Sequence, residues 1–105
     1  MRALDLFSGT GSVARVLREM GFEVDTLDND PKCQPDYCCS ILDWDFAAIP
    51  PGTYDFIWLS PPCTRYSNAR TQGGPRRIEE LADPLVRAAL AAIEHLRPRA
   101  WAMEN

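Results

Sequence analysis

The segment RALDLFSGTGSVARVLREMG, residues 2–21, changes its period in the middle, and that change restricts the fold more than any other feature. Residues 2–7 are largely apolar and stop at Ser8-Gly9-Thr10-Gly11, which predicts a strand entering a glycine turn. Beyond the turn, Val13, Val16, Leu17 and Met20 recur at helical spacing, with Ser12 near the start and Gly21 as the stop. The rest of the chain continues this alternation. FEVDTL, residues 22–27, alternates as a strand does and ends in Asp28-Asn29-Asp30-Pro31, where Pro31 blocks extension. YCCSIL, residues 37–42, suggests a short third strand, and residues 43–49 one helical turn before Pro50-Pro51-Gly52. YDFIWLS, residues 54–60, reads as a buried strand stopped by Pro61-Pro62. Asp83-Pro84 is a helix start, a cap followed by a first-turn proline. Leu85, Val86, Ala89, Leu90, Ile93 and Leu96 form the apolar stripe of that helix, Pro98 ends it, and AWAM, residues 100–103, is a fifth strand. The order is mostly β-α-β, so an α/β fold is expected, with an open, mostly parallel sheet and helices on both faces. One long irregular segment, from about residue 64 to residue 82, interrupts the pattern. Loops of that length in compact domains are usually functional or disordered.

At 105 residues the chain is one small domain or a piece of one. No apolar run approaches the ~18 residues of a membrane span. No secretory signal is visible ahead of the first strand, so the cytoplasm is the expected compartment. Cysteines stand at 33, 38, 39 and 63, without the usual CxxC spacing of a zinc site, and His95 is far away in sequence. Reduced thiols are the better reading, and no metal is expected. The net charge of −4 argues, taken alone, against a nucleic-acid partner. Its distribution says otherwise, because TRYSNARTQGGPRR, residues 64–77, holds Arg65, Arg70, Arg76 and Arg77 and no acid. Such a loop is compatible with phosphate contact, and equally with plain solvation.

Three constellations carry chemistry. Gly9-x-Gly11-x-x-Ala14 lies between a strand and a helix, where glycines let the backbone approach a ligand closely. Asp28 follows 17 residues after Gly11, at a strand end where an acid can accept hydrogen bonds from a ribose diol. A dinucleotide or S-adenosylmethionine would both suit this pattern. The second constellation is Pro61-Pro62-Cys63, a stiff turn that aims a thiol at the end of the fourth strand. The third is Glu104-Asn105 at the end of the fifth. In an open parallel sheet these strand ends share one rim, and a thiol beside a carboxylic acid suits addition to an electron-poor ring.

DLFSGTGS, SPPCTRYS and MEN, in this order, resemble the DNA (cytosine-5) methyltransferases, whose DLF-x-G-x-G-type cofactor loop, Pro-Cys nucleophile and Glu-Asn dipeptide occur at compatible spacing over the whole chain. The resemblance implies a Rossmann-like, S-adenosylmethionine-dependent sheet of about five strands in the order 3-2-1-4-5, and a double-stranded DNA substrate in preference to RNA. It implies that Phe7, Ser8, Gly9, Thr10 and Gly11 wrap the cofactor, with Asn29, Ser40, Ile41 and Ser60 also at that site. Asp28 would hold the ribose hydroxyls. Cys63 would be the nucleophile, Glu104 would bind the target base, and Asn105 would support the nucleophile's loop. Arg65, Ser67, Arg70, Arg76 and Arg77 would belong to a catalytic loop that closes over DNA. Expected departures are Thr64 where Gln often follows the nucleophile, Asn29 where an aromatic often stacks on adenine, and Ser40-Ile41 where Asp-Ile is common. The family continues past Glu-Asn, so residues 1–105 look like the N-terminal portion of a catalytic domain. Weak or no activity is expected of it without the remainder or a complementing chain. A bacterial or phage cytoplasm, or a nucleus in a eukaryote, is the implied setting.

Overall fold

A computed structural model describes residues 1–61 and 83–104. Its five strands are β1 (Arg2–Leu6), β2 (Glu23–Asp28), β3 (Tyr37–Cys38), β4 (Phe56–Leu59) and β5 (Ala100–Met103). They form one sheet in the order β3-β2-β1-β4-β5, and every pairing is parallel. Two α-helices, α1 (Ser12–Glu19) and α2 (Pro84–Leu96), cover opposite faces. The chain is therefore an open, parallel α/β sheet of Rossmann type.

β1 lies at the centre, and Ala3, Leu4, Asp5 and Leu6 are all buried, as expected of a strand covered on both faces. Side chains alternate across it. Leu4 and Leu6 join Ile57 and Leu59 in the larger core, against Ala89, Ala92, Ile93 and Leu96 of α2. Ala3 faces the other way, with Val24 of β2, toward Ala14 and Leu17 of α1. Each fully buried leucine or isoleucine contributes about 1.5–3 kcal/mol relative to exposure.

The helix ends follow from particular residues. α1 stops at Met20, where the N–H of Gly21 donates to Arg18 O and that of Phe22 to Leu17 O. Gly21 takes φ 99°, the left-handed conformation this closure requires. α2 begins as the Asp83-Pro84 pair predicts, with Asp83 Oδ1 accepting the Leu85 N–H at 2.8 Å.

The third strand is shorter than its apolar run suggests, only two residues. Asp36 explains this at its start. Its Oδ2 takes both the N–H and the hydroxyl proton of Thr26, and Thr26 Oγ1 accepts the Asp36 N–H. Side-chain bonds there occupy the groups a ladder would use. Beyond Cys38, Ser40 turns the chain, its carbonyl accepting from Asp43 N and its Oγ from Leu42 N. The expected helical turn in 43–49 is a short 3-10 turn, Phe46–Ala48, held near α2 by a His95 Nε2–Ile49 O bond of 2.9 Å.

At the amino ends of the strands, Asp25 Oδ2 accepts from Arg2 Nη2 at 2.8 Å and from the Tyr54 hydroxyl at 2.7 Å, while the Arg2 guanidinium lies over the Tyr54 ring. Burial, then the bond to Asp25, raises the Tyr54 pKa. This clamp fixes β1, β2 and the entry to β4 at the end away from the candidate site.

Candidate active site

The site is built where β1 meets its glycine turn. Phe7, Gly9 and Gly11 all have left-handed backbones, with φ 63°, 53° and 85°. For Gly9 and Gly11 this costs little, since neither carries a Cβ. For Phe7 it costs of order 1–2 kcal/mol, and surrounding bonds must hold it there. Two do. Ser8 N donates to Leu27 O at 3.0 Å, and Gly9 N donates to Asp28 Oδ2 at 2.8 Å. The turn is thus laced to the carboxyl end of β2. Asp28 also accepts the Asp30 N–H through Oδ1 at 2.9 Å, so its carboxylate is oriented by two backbone donors and keeps lone pairs for a ligand.

A cavity of about 360 Å³ opens beside this turn, within the size range of small-molecule sites. Phe7, Gly9, Asp28, Asn29, Ser40, Ile41 and Ser60, all expected at a cofactor site, line it together. Ser8, Thr10 and Gly11 do not; they line an adjoining groove of about 830 Å³, with Arg15, Arg18, Thr26 and Asp36. Gly9 and Cys33 belong to both walls.

Sequence reasoning missed five lining residues: Leu27, Asp30, Cys33, Cys39 and Leu85. Leu27 and Asp30 flank Asp28 closely, and that proximity was a usable signal. Leu85 comes from the first turn of α2, and only the topology brings it here. Burial raises the pKa of Cys33, with Asp30 and Asp28 adding to it. Burial also raises that of Cys39, with Asp43 and Cys38 adding. Both thiols are therefore weak nucleophiles at neutral pH.

Asp5 was missed as well. It is 1% exposed, and the backbone N–H of Ala14 in α1 favours its charged form. Gly11, the N-cap residue of α1, has no side chain with which to cap the helix. Burial, with the Asp28 carboxylate nearby, pushes the Asp5 pKa up to about 6. Its Oδ2 is buried without a hydrogen-bond partner among the described residues.

Glu104 follows β5 and is exposed. Its N–H donates to Leu59 O at 2.9 Å, so it sits beside the end of β4, where Ser60 and the buried Pro61 continue the chain. Cys63, Arg65, Ser67, Arg70, Arg76, Arg77 and Asn105 lie outside the described residues.

The cavity combines oriented carboxylates at Asp28 and Asp30, apolar walls at Phe7, Leu27, Ile41 and Leu85, and a hydroxyl at Ser60. Carboxylates accept from a sugar diol, and apolar walls cover a flat ring, so these residues fit a nucleoside ligand. A family model described as C-5 cytosine-specific DNA methylase matches residues 1–105. The chain belongs to that family. A probable DNA (cytosine-5)-methyltransferase of Frog virus 3 (isolate Goorha) is 34% identical to this chain over 117 residues, covering all of this chain and 53% of the viral protein. The type II methyltransferase M.AgeI of Thalassovita gelatinovora is 26% identical over 122 residues, covering 28% of that enzyme. The chain thus spans about half the length of the viral relative, and less of the bacterial one. No solved structure matches it. Among the described residues, no cluster of His, Cys, Asp and Glu could hold a metal ion, and no helix is long and apolar enough to cross a membrane.

Proposed function

We propose that this methylase chain carries the catalytic core for methyl transfer from S-adenosylmethionine to carbon 5 of cytosine in double-stranded DNA. What supports the reading most is one convergence. Phe7 from the glycine turn, Asp28 from β2, Ser40-Ile41 after β3 and Ser60 after β4 line one cavity at the carboxyl rim, and Cys63 follows Ser60 by three residues in the sequence. Ligands of open parallel sheets bind at this rim.

S-adenosylmethionine, when bound, supplies an electrophilic methyl group for carbon 5 and departs as S-adenosylhomocysteine. The chain's own residues do the rest. Asp28 accepts from the ribose hydroxyls while its bond to Gly9 keeps the turn closed. Cys63, as thiolate, forms a bond from Sγ to carbon 6 of the base, and the electron pair displaced from the 5,6 double bond makes carbon 5 nucleophilic. Glu104 hydrogen-bonds ring nitrogen 3 and the exocyclic amine and so stabilises the charge that builds on the ring. After methylation, a base takes the carbon 5 proton, the Sγ–carbon 6 bond breaks, and the double bond returns. A stacked base cannot be reached this way, so the cytosine is flipped from the duplex. Arg65, Ser67, Arg70, Arg76 and Arg77 are assigned to phosphate contact during that step.

The test incubates the gene product that carries this chain with S-adenosylmethionine and either DNA or tRNA, followed by digestion and mass spectrometry. The expected product is 5-methylcytosine in DNA. Methylation on the exocyclic nitrogen, or in tRNA alone, would overturn the reading. Calorimetric titration adds a second check, with S-adenosylmethionine expected to bind and NAD not.

A further inference from the structure

Trp58 and Ser60 are two residues apart on β4 and its continuation, so both side chains lie on the same side of the sheet. The Trp58 indole Nε1–H donates to Ser60 Oγ at 2.6 Å. An indole N–H can only donate, so Ser60 Oγ is the acceptor and its own proton is left to donate elsewhere. Accepting one bond also polarises the hydroxyl and strengthens the bond it gives. The backbone of Ser60 is pinned in turn, its N–H donating to Leu6 O at 3.2 Å. Ser60 lines the cavity. Trp58 is only half-buried, so water could satisfy its N–H, and the bond to Ser60 is not needed to avoid an orphaned donor.

Asp28 and Asp30 line the same cavity from the end of β2, on the other side of β1 from Ser60, and ionised carboxylates only accept. The two walls therefore differ in sense. A ligand with hydroxyl donors at one end and an acceptor at the other is oriented by this difference, and the reverse placement sets acceptor against acceptor.

We propose that Ser60 donates a hydrogen bond to the carboxylate of the amino-acid arm of the bound nucleoside, and that Trp58 is the positioning residue that turns the hydroxyl toward it. A hydrogen bond to a carboxylate is charge-assisted and stronger than a neutral one. The pair therefore selects nucleosides that carry the amino-acid arm over those that lack it. This inference rests on the reading of the cavity as the S-adenosylmethionine site.

The experiment measures, by calorimetry on this chain, the binding of S-adenosylhomocysteine and of 5′-methylthioadenosine. The second ligand keeps the adenosine thioether and lacks the amino-acid arm. Ser60→Ala is expected to weaken S-adenosylhomocysteine binding roughly ten- to a hundred-fold, the range for a hydrogen bond to a charged group. Trp58→Phe keeps an aromatic ring and removes the donor, and a loss of a few-fold is expected for the same ligand. Ser60→Thr keeps the hydroxyl and is expected to bind like the wild type. Methylthioadenosine affinity is expected to stay unchanged in all three variants, a result that general damage to the fold would not produce. Wild-type binding of S-adenosylhomocysteine with indifferent variants, or with equal losses for both ligands, overturns this inference alone. Failure of the wild-type chain to bind either ligand overturns the cofactor reading and this inference with it.

Discussion

Burial raises the pKa of the Asp5 carboxylate from the ordinary 3.8 to about 6. The folded state therefore binds this proton more tightly than the unfolded chain does. Its contribution to stability is full below about pH 3.8 and is lost as pH rises through about 6. Asp5→Asn keeps the shape of the side chain and cannot ionise. The stability of this variant relative to wild type is expected to improve by about 2 kcal/mol between pH 4.5 and pH 7.5, measured by urea denaturation at both values. A difference that does not change with pH would show that Asp5 is not the titrating group. Phe7 directly follows the strand that holds Asp5. Its left-handed backbone is unfavourable for a bulky residue, and it is found in the turn that walls the cavity.

At the scale of elements, α2 offers the clearest test of how local chemistry supports the site. Asp83 caps the helix through the Leu85 N–H, and Leu85 is itself part of the cavity wall. Asp83→Ala is expected to cost about 1 kcal/mol in denaturant unfolding, and Asp83→Ser to recover most of it. Equal stability of the Ala variant and wild type would remove the cap from the account. The same helix was legible in advance, because Asp83-Pro84 and Pro98 punctuate a strong apolar stripe. β1, β4 and β5 were legible for similar reasons, each an apolar run bounded by Gly or Pro. The burial of Asp5 was not, because a lone acid in a strand whose neighbouring residues are apolar reads as solvent-facing until the covering helix is in place. The short extent of β3 was hidden too. It depends on Asp36 meeting Thr26, a pairing ten residues apart that no periodicity reports. Cavity residues next to Asp28 could be anticipated, whereas Leu85 needed the fold.

At the scale of the whole molecule, the strand order places the cavity. The chain runs outward from β1 through β2 to β3, then crosses to the other side of β1 for β4 and β5. α1 and α2 cover opposite faces, and the strand order reverses between the carboxyl ends of β1 and β4. The cleft between them receives the glycine turn from one side and Ser60-Pro61 from the other, with Glu104 tied alongside at Leu59. The chain's charge is unevenly distributed along the sequence. It is acidic overall at −4, and the arginines at 65, 70, 76 and 77 fall in the acid-free run just after Cys63. The central claim, that Cys63 attacks cytosine and that carbon 5 receives the methyl group, is tested most directly by covalent trapping. DNA carrying 5-fluorocytosine has no carbon 5 proton to lose, so the adduct cannot resolve after methylation. With S-adenosylmethionine present, the gene product carrying this chain is expected to form a protein–DNA complex that survives denaturing electrophoresis, and Cys63→Ser is expected to form none. An equally stable complex with Cys63→Ser, or 5-methylcytosine production from ordinary DNA without any trapped complex, would contradict the account.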